Sequence, residues 1–107
     1  MTARAPSEAA IQADIMQALR KAGRHVCRTH SGQVKVRGGW MWLAPEGTPD
    51  LYVIGFGWLE CKAAKGKLNA DQERMHQVIR AAGERVMVVR SVKEALRVVL
   101  TAGGADG

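Results

Sequence analysis

Two apolar runs of strand length, Leu51 to Ile54 and Trp58 to Lys62, close around Gly55-Phe56-Gly57. A helical stretch and a third run, Val86-Met87-Val88-Val89, follow them. That order leaves few folds open. A hairpin followed by a crossover helix and another strand requires a mixed sheet with helices on its faces. The unbroken apolarity of Val86–Val89 is the pattern of a strand covered on both sides.

The rest of the chain fits around this unit. Ser7 is an N-cap, Glu8 suits the dipole of the first turn, and Ile11, Ile15, Leu19 and Ala22 recur at helical spacing up to Gly23. His25 to Thr29 reads as a short strand and His30-Ser31-Gly32-Gln33 as a turn. Val34 to Leu43 reads as two strand pieces bent at Gly38-Gly39. Asn69 with Gln72 has the form of a capping box, and Met75, Val78, Ile79 and Ala82 mark the buried face of the helix that follows. Ser91 caps a last helix with Glu94 at the box position, and Ala95, Leu96, Val99 and Leu100 form its inner face. The expectation is a single α/β domain over 1–107, in the order α-β-β-β-α-β-α, with loose ends at about 1–6 and 101–107.

At 107 residues such a domain buries a core without metal or disulfide staples. Cys27 and Cys61 have no metal-finger spacing and imply no oxidising compartment. No signal-peptide pattern or membrane-length apolar run is present, so a cytoplasmic setting is expected. The net charge of +6 favours an anionic partner, above all nucleic acid.

The charges inside the hairpin are the anomaly. Glu60 and Lys62 are two apart and share a strand face. With Gly55-Phe56-Gly57 as a three-residue loop, Tyr52 faces Glu60, Asp50 faces Lys62, and all three charges lie on one face. With a two-residue loop, Asp50 falls on the other face. Carboxylates held close repel each other, and a divalent cation relieves the repulsion. Mg²⁺ takes oxygen ligands, and a lysine beside it can hold a water or stabilise charge on a phosphate. A cross-strand salt bridge between Asp50 and Lys62 meets the same spacing.

The strings GTPDLYVI and WLECKAAKGKLNADQ resemble the VRR-NUC family of PD-(D/E)XK nucleases. Pro49-Asp50 matches the PD element, Glu60-Cys61-Lys62 the E-x-K element, Gln72 the glutamine that follows, and Glu8 the N-terminal acid. His30-Ser31-Gly32 and the bent strand through Gly39-Trp40 are also similar to compact stand-alone members. The likeness runs from about Ser7 to Leu100. It implies a restriction-endonuclease-like core and Mg²⁺- or Mn²⁺-dependent cleavage of DNA phosphodiesters. Asp50, Glu60, the Cys61 backbone carbonyl and Glu8 would hold the metal, Glu8 directly or through water. Lys62 would position the attacking water, and Gln72 would orient Lys62 or touch the scissile phosphate. Compact members resemble homodimeric Holliday-junction resolvases of bacterial or phage-infected cells. Flap or end cleavage and non-catalytic DNA binding are the alternatives.

Lys35, Arg37, Lys65 and Lys67, with Ser31, are candidate DNA contacts around this centre. Trp40 and Trp42 share a strand face and suit core packing or a dimer interface. His25 and His76 read as surface or partly buried side chains. His30 reads as a turn residue, and the Cys61 side chain as core.

Overall fold

In a computed structural model, residues 5–31 and 33–102 are described. Met1 to Arg4 of the expected loose start, Gly32 of the expected turn and residues 103–107 of the tail lie outside them. The elements are α1 (Glu8–Lys21), β1 (Val26–Arg28), β2 (Gln33–Val36), β3 (Gly39–Trp42), β4 (Leu51–Val53), β5 (Gly57–Cys61), α2 (Ala70–Ala81), β6 (Val86–Val89) and α3 (Val92–Ala102). The molecule is mixed α/β with three helices, as expected, but five strands rather than three stand between the first two helices, because the β2–β3 hairpin is inserted there. The last helix continues through Ala102, past the expected fray at Thr101.

One sheet has the order β1-β4-β5-β6, antiparallel except for the parallel β5–β6 pair that α2 connects. The strands β2 and β3 form a separate two-stranded sheet inserted between β1 and β4. Strand alternation puts Leu51, Val53, Leu59 and Cys61 on one face of the main sheet. There they pack with Ile11, Ile15 and Leu19 of α1 and Ala95 and Val99 of α3. The helix α2 covers the other face, where His76 reaches Glu60.

Several expectations need correction. The turn of the hairpin is Ile54-Gly55-Phe56, and Gly57 is the first residue of β5. Phe56 N–H donates to the Val53 carbonyl at 2.9 Å, and Gly55 at φ +88 fills the third position of that turn, which requires a positive φ. Gly57 belongs to the sheet because a side chain there would collide with the Arg85 backbone. The register therefore pairs Tyr52 with Trp58 and Leu51 with Leu59. Continued by one residue, it sets Asp50 level with Glu60 rather than with Lys62 or Ala63. A register shift of two keeps every side chain on its face, so the three charges still share one.

Strand β6 is an edge strand with Met87 exposed and Val88 half-buried, so it is not covered on both faces. On α2 the buried residues are His76 and Ile79, while Val78 is exposed. The inner stripe of that helix is Gln72, Met75, His76 and Ile79, so Met75 and Ile79 turn inward as expected while Val78 and Ala82 face out. On α3, Leu100 is likewise exposed.

Candidate active site

The site begins where β1 and β4 end. Thr29 N–H donates to the Asp50 carbonyl at 2.9 Å, and its hydroxyl reaches the same oxygen at 3.0 Å and the Pro49 carbonyl as well. These bonds hold the Pro49-Asp50 backbone against the end of β1. The Asp50 carboxylate then turns across the hairpin, where Oδ2 accepts the Cys61 N–H at 2.7 Å. A charge-assisted bond to a backbone donor fixes this carboxylate more firmly than a surface ion pair does.

Glu60 is 0% exposed. Its Oε1 lies 3.0 Å from His76 Nε2, a residue only 1% exposed. Glu60 Oε2 and His76 Nδ1 are both buried without a partner. Burial, first of all, and then the neighbouring Asp50 carboxylate push the Glu60 carboxyl up to about 9, against the opposing pull of Lys62. At neutral pH and without a cation, Glu60 therefore carries a proton. His76 is pushed the other way, below its usual range, by burial and then by Arg80 and Lys62. The pair is a neutral acid against a neutral imidazole.

Lys62 follows the last residue of β5 and is only 6% exposed, with its N–H on the Val89 carbonyl at 3.0 Å. Its Nζ stands 4.0 Å from Glu8 Oε2. Glu8 occupies the first turn of α1, which Ser7 caps by accepting the Ala10 N–H. The structure thus brings Asp50, Glu60, Lys62 and Glu8 together. Glu8 faces Lys62, and no three His, Cys, Asp or Glu side chains converge on a common point among the described residues.

The Cys61 side chain is in the core, as expected, and burial pushes its thiol up to about 12. Gln72 closes the capping box, its Oε1 accepting the Asn69 N–H at 3.0 Å. This fixes the start of α2 and leaves the amide nitrogen free of that duty. The loop into Asp50 packs on the same helix end, where Gly47 at φ +89 lies so close to the Asp71 and Gln72 backbone that a side chain would not fit.

His76, read above as a surface or partly buried side chain, is instead the buried partner of Glu60. The signal was its place four residues after Gln72 and three before Ile79, on one helical stripe. Thr29, which holds Asp50, carried no such signal. Arg90 also went unread. Its guanidinium grips the carbonyls of Ala63 at 2.6 Å and Gly66 at 2.8 Å, fixing the loop that presents Lys65 and Lys67. Both lysines are exposed, as are Ser31, Lys35 and Arg37. Trp40 is 65% exposed and belongs to no core, against the packing expected of it. The Trp42 side chain lies outside the described residues.

The donor set suits a hard divalent cation. Continuing the hairpin register sets the Asp50 and Glu60 carboxyl groups level, and one Glu60 oxygen is buried with no partner among the described residues. A cation there removes the reason for Glu60 to keep its proton. No helix among the described residues is long and apolar enough to cross a membrane. Compared with known proteins, the chain matches no family model, no curated protein and no solved structure.

Proposed function

We propose that this chain is a metal-dependent DNA endonuclease of the VRR-NUC kind, with a restriction-endonuclease-like core, that acts on branched DNA as a homodimer. The observation that carries the reading is the juxtaposition of Asp50 and buried Glu60 with the buried Lys62 at the edge of the main sheet where the central strands β4 and β5 begin and end. Burying the Glu60 carboxyl and the Lys62 ammonium beside the Asp50 carboxylate is costly and contributes little to stability, so a chemical role explains them better than a structural one.

Asp50 and Glu60, with the Cys61 carbonyl, would hold Mg²⁺ or Mn²⁺. The bound cation would supply an acidified water and offset charge on the phosphate. The residues supply the rest. The Cys61 N–H orients Asp50, and His76 orients Glu60. Lys62 presents its ammonium to the attacking water or the phosphate oxygens. Glu8 keeps Lys62 at that edge. The ion pair, at 4.0 Å with Glu8 44% exposed, is worth at most about 1 kcal/mol, so its use is positional. Gln72 holds the helix that carries His76 and has an amide nitrogen left for the phosphate. Lys65 and Lys67 on the Arg90-held loop meet the backbone of the bound strand.

The test is cleavage of a labelled four-way junction beside duplex, flap and single-strand substrates, with Mg²⁺, Mn²⁺ or EDTA. Paired metal-dependent nicks at symmetric positions support junction resolution. Cutting of flaps or ends alone keeps the chemistry and replaces the substrate. Binding without cutting in either metal replaces the enzyme with a DNA-binding module.

A further inference from the structure

The β2–β3 ribbon is used by nothing described so far. It pairs only within itself, and β2 is exposed along its whole length. A lone two-stranded hairpin is marginal in water, so a ribbon of this kind calls for a surface to lie on.

Its register gives it two different faces. Lys35 stands opposite Trp40, with Gln33 on the same side, while Val34, Val36 and Met41 share the other. Arg37 sits in the turn at the tip, and residues 33–42 contain no acid. Trp40 is the most exposed of the large hydrophobic residues among those described. A cation across from a bare indole suits a polyanion that also offers flat apolar groups. A symmetric pairing of two such ribbons through the Lys35–Trp40 face would bring the cations of both copies together, so that face suits a polyanion better than a second copy.

The stem of the ribbon is tied to the proposed centre. Thr29, bonded to Asp50, leads into it. Ala44 N–H bonds the His30 carbonyl at 2.8 Å, and Ser31 bridges Ala44. The return strand runs on through the Gly47 turn to Asp50 itself. Four-residue strands reach about 13 Å, or roughly four base pairs at 3.4 Å per pair. A two-stranded ribbon fits the major groove of B-DNA.

We infer that the β2–β3 ribbon grips a duplex arm beside the cut, with Lys35 and Arg37 on phosphates and Trp40 in the groove. Where the arm lies rests on the nuclease reading; that the ribbon binds DNA is testable without it. The experiment is fluorescence anisotropy of a labelled duplex and a four-way junction in EDTA. It uses the full chain, a Lys35→Gln/Arg37→Gln double variant and Trp40→Ala, each checked by circular dichroism.

The double variant is expected to bind at least about tenfold more weakly, with the salt dependence of log K shallower by about two. Trp40→Ala is expected to lose affinity several-fold at unchanged salt slope. Equal binding by wild type and both variants overturns the proposal. So does a loss of dimer on sedimentation with DNA affinity intact, which gives the ribbon to a second copy. Wild type that binds through the ribbon yet cuts nothing in Mg²⁺ or Mn²⁺ retires the nuclease and keeps the ribbon. Wild type that binds no DNA overturns both.

Discussion

His76 Nε2 lies 3.0 Å from Glu60 Oε1, with both side chains sealed from solvent between α2 and the main sheet. This contact makes α2 part of the site. His76→Ala leaves the Glu60 carboxyl buried with neither oxygen bonded to a side chain of that helix. A loss of about 1–3 kcal/mol in stability is expected. The Mg²⁺ concentration for half-maximal cleavage should rise about 10- to 100-fold, as for other residues that orient a ligand from behind. Urea titration and a metal titration of cleavage measure the two effects. Lost stability with an unmoved metal titration would reduce His76 to packing.

The metal-free protein should grow less stable with rising pH. Glu60 holds its proton up to about 9 when folded and releases it near 4.5 when unfolded. Its contribution is full below about 4.5 and is lost as pH rises through 9. On the proposed reading Mg²⁺ takes the place of that proton, so added Mg²⁺ should raise Tm most at high pH. Glu60→Gln should flatten the slope and abolish the Mg²⁺ effect. Identical Tm–pH curves for wild type and Glu60→Gln would contradict this.

Gly47→Ala should cost about 2–4 kcal/mol. The residue has φ +89, where a side chain is strained, and its new Cβ would strike the Asp71 and Gln72 backbone. The loop into Asp50 would then lift off α2. Urea unfolding reads the cost. A change below about 0.5 kcal/mol would mean that the loop is free of the helix.

Of the two free thiols, Cys27 is exposed and Cys61 buried, with its thiol pushed up to about 12. At pH 8, N-ethylmaleimide should modify Cys27 alone in the folded protein, because the thiolate is the nucleophile. Mass spectrometry after proteolysis shows which. Modification of Cys61 without unfolding would mean that the core face behind Asp50 opens readily.

Much of this was readable from local chemistry. Helix starts were legible because Ser7, Asn69 and Ser91 each cap a backbone N–H in the way their side chains allow. The shared face of Asp50, Glu60 and Lys62 followed from strand alternation, which a register shift of two leaves intact. The register itself was not legible. It depends on how closely Gly57 approaches Arg85, a contact 28 residues away in the chain. His76 was lost for a related reason. Val78 drew the buried face of α2 toward itself, whereas packing over the charged end of β5 favoured a side chain able to bond Glu60. Of the two places that suit Trp40, the core and a dimer interface, its exposure removes the core, and no local pattern marks a ribbon that leaves the sheet.

The most direct measurement is single-turnover cleavage of a labelled junction in Mg²⁺ by wild type and by Lys62→Met, with folding of both checked by thermal melts. The account predicts metal-dependent cuts by wild type and at least a hundredfold slower cleavage by Lys62→Met at unchanged junction affinity. Equal rates for the two proteins, or no cleavage by folded wild type in Mg²⁺ or Mn²⁺, would contradict it.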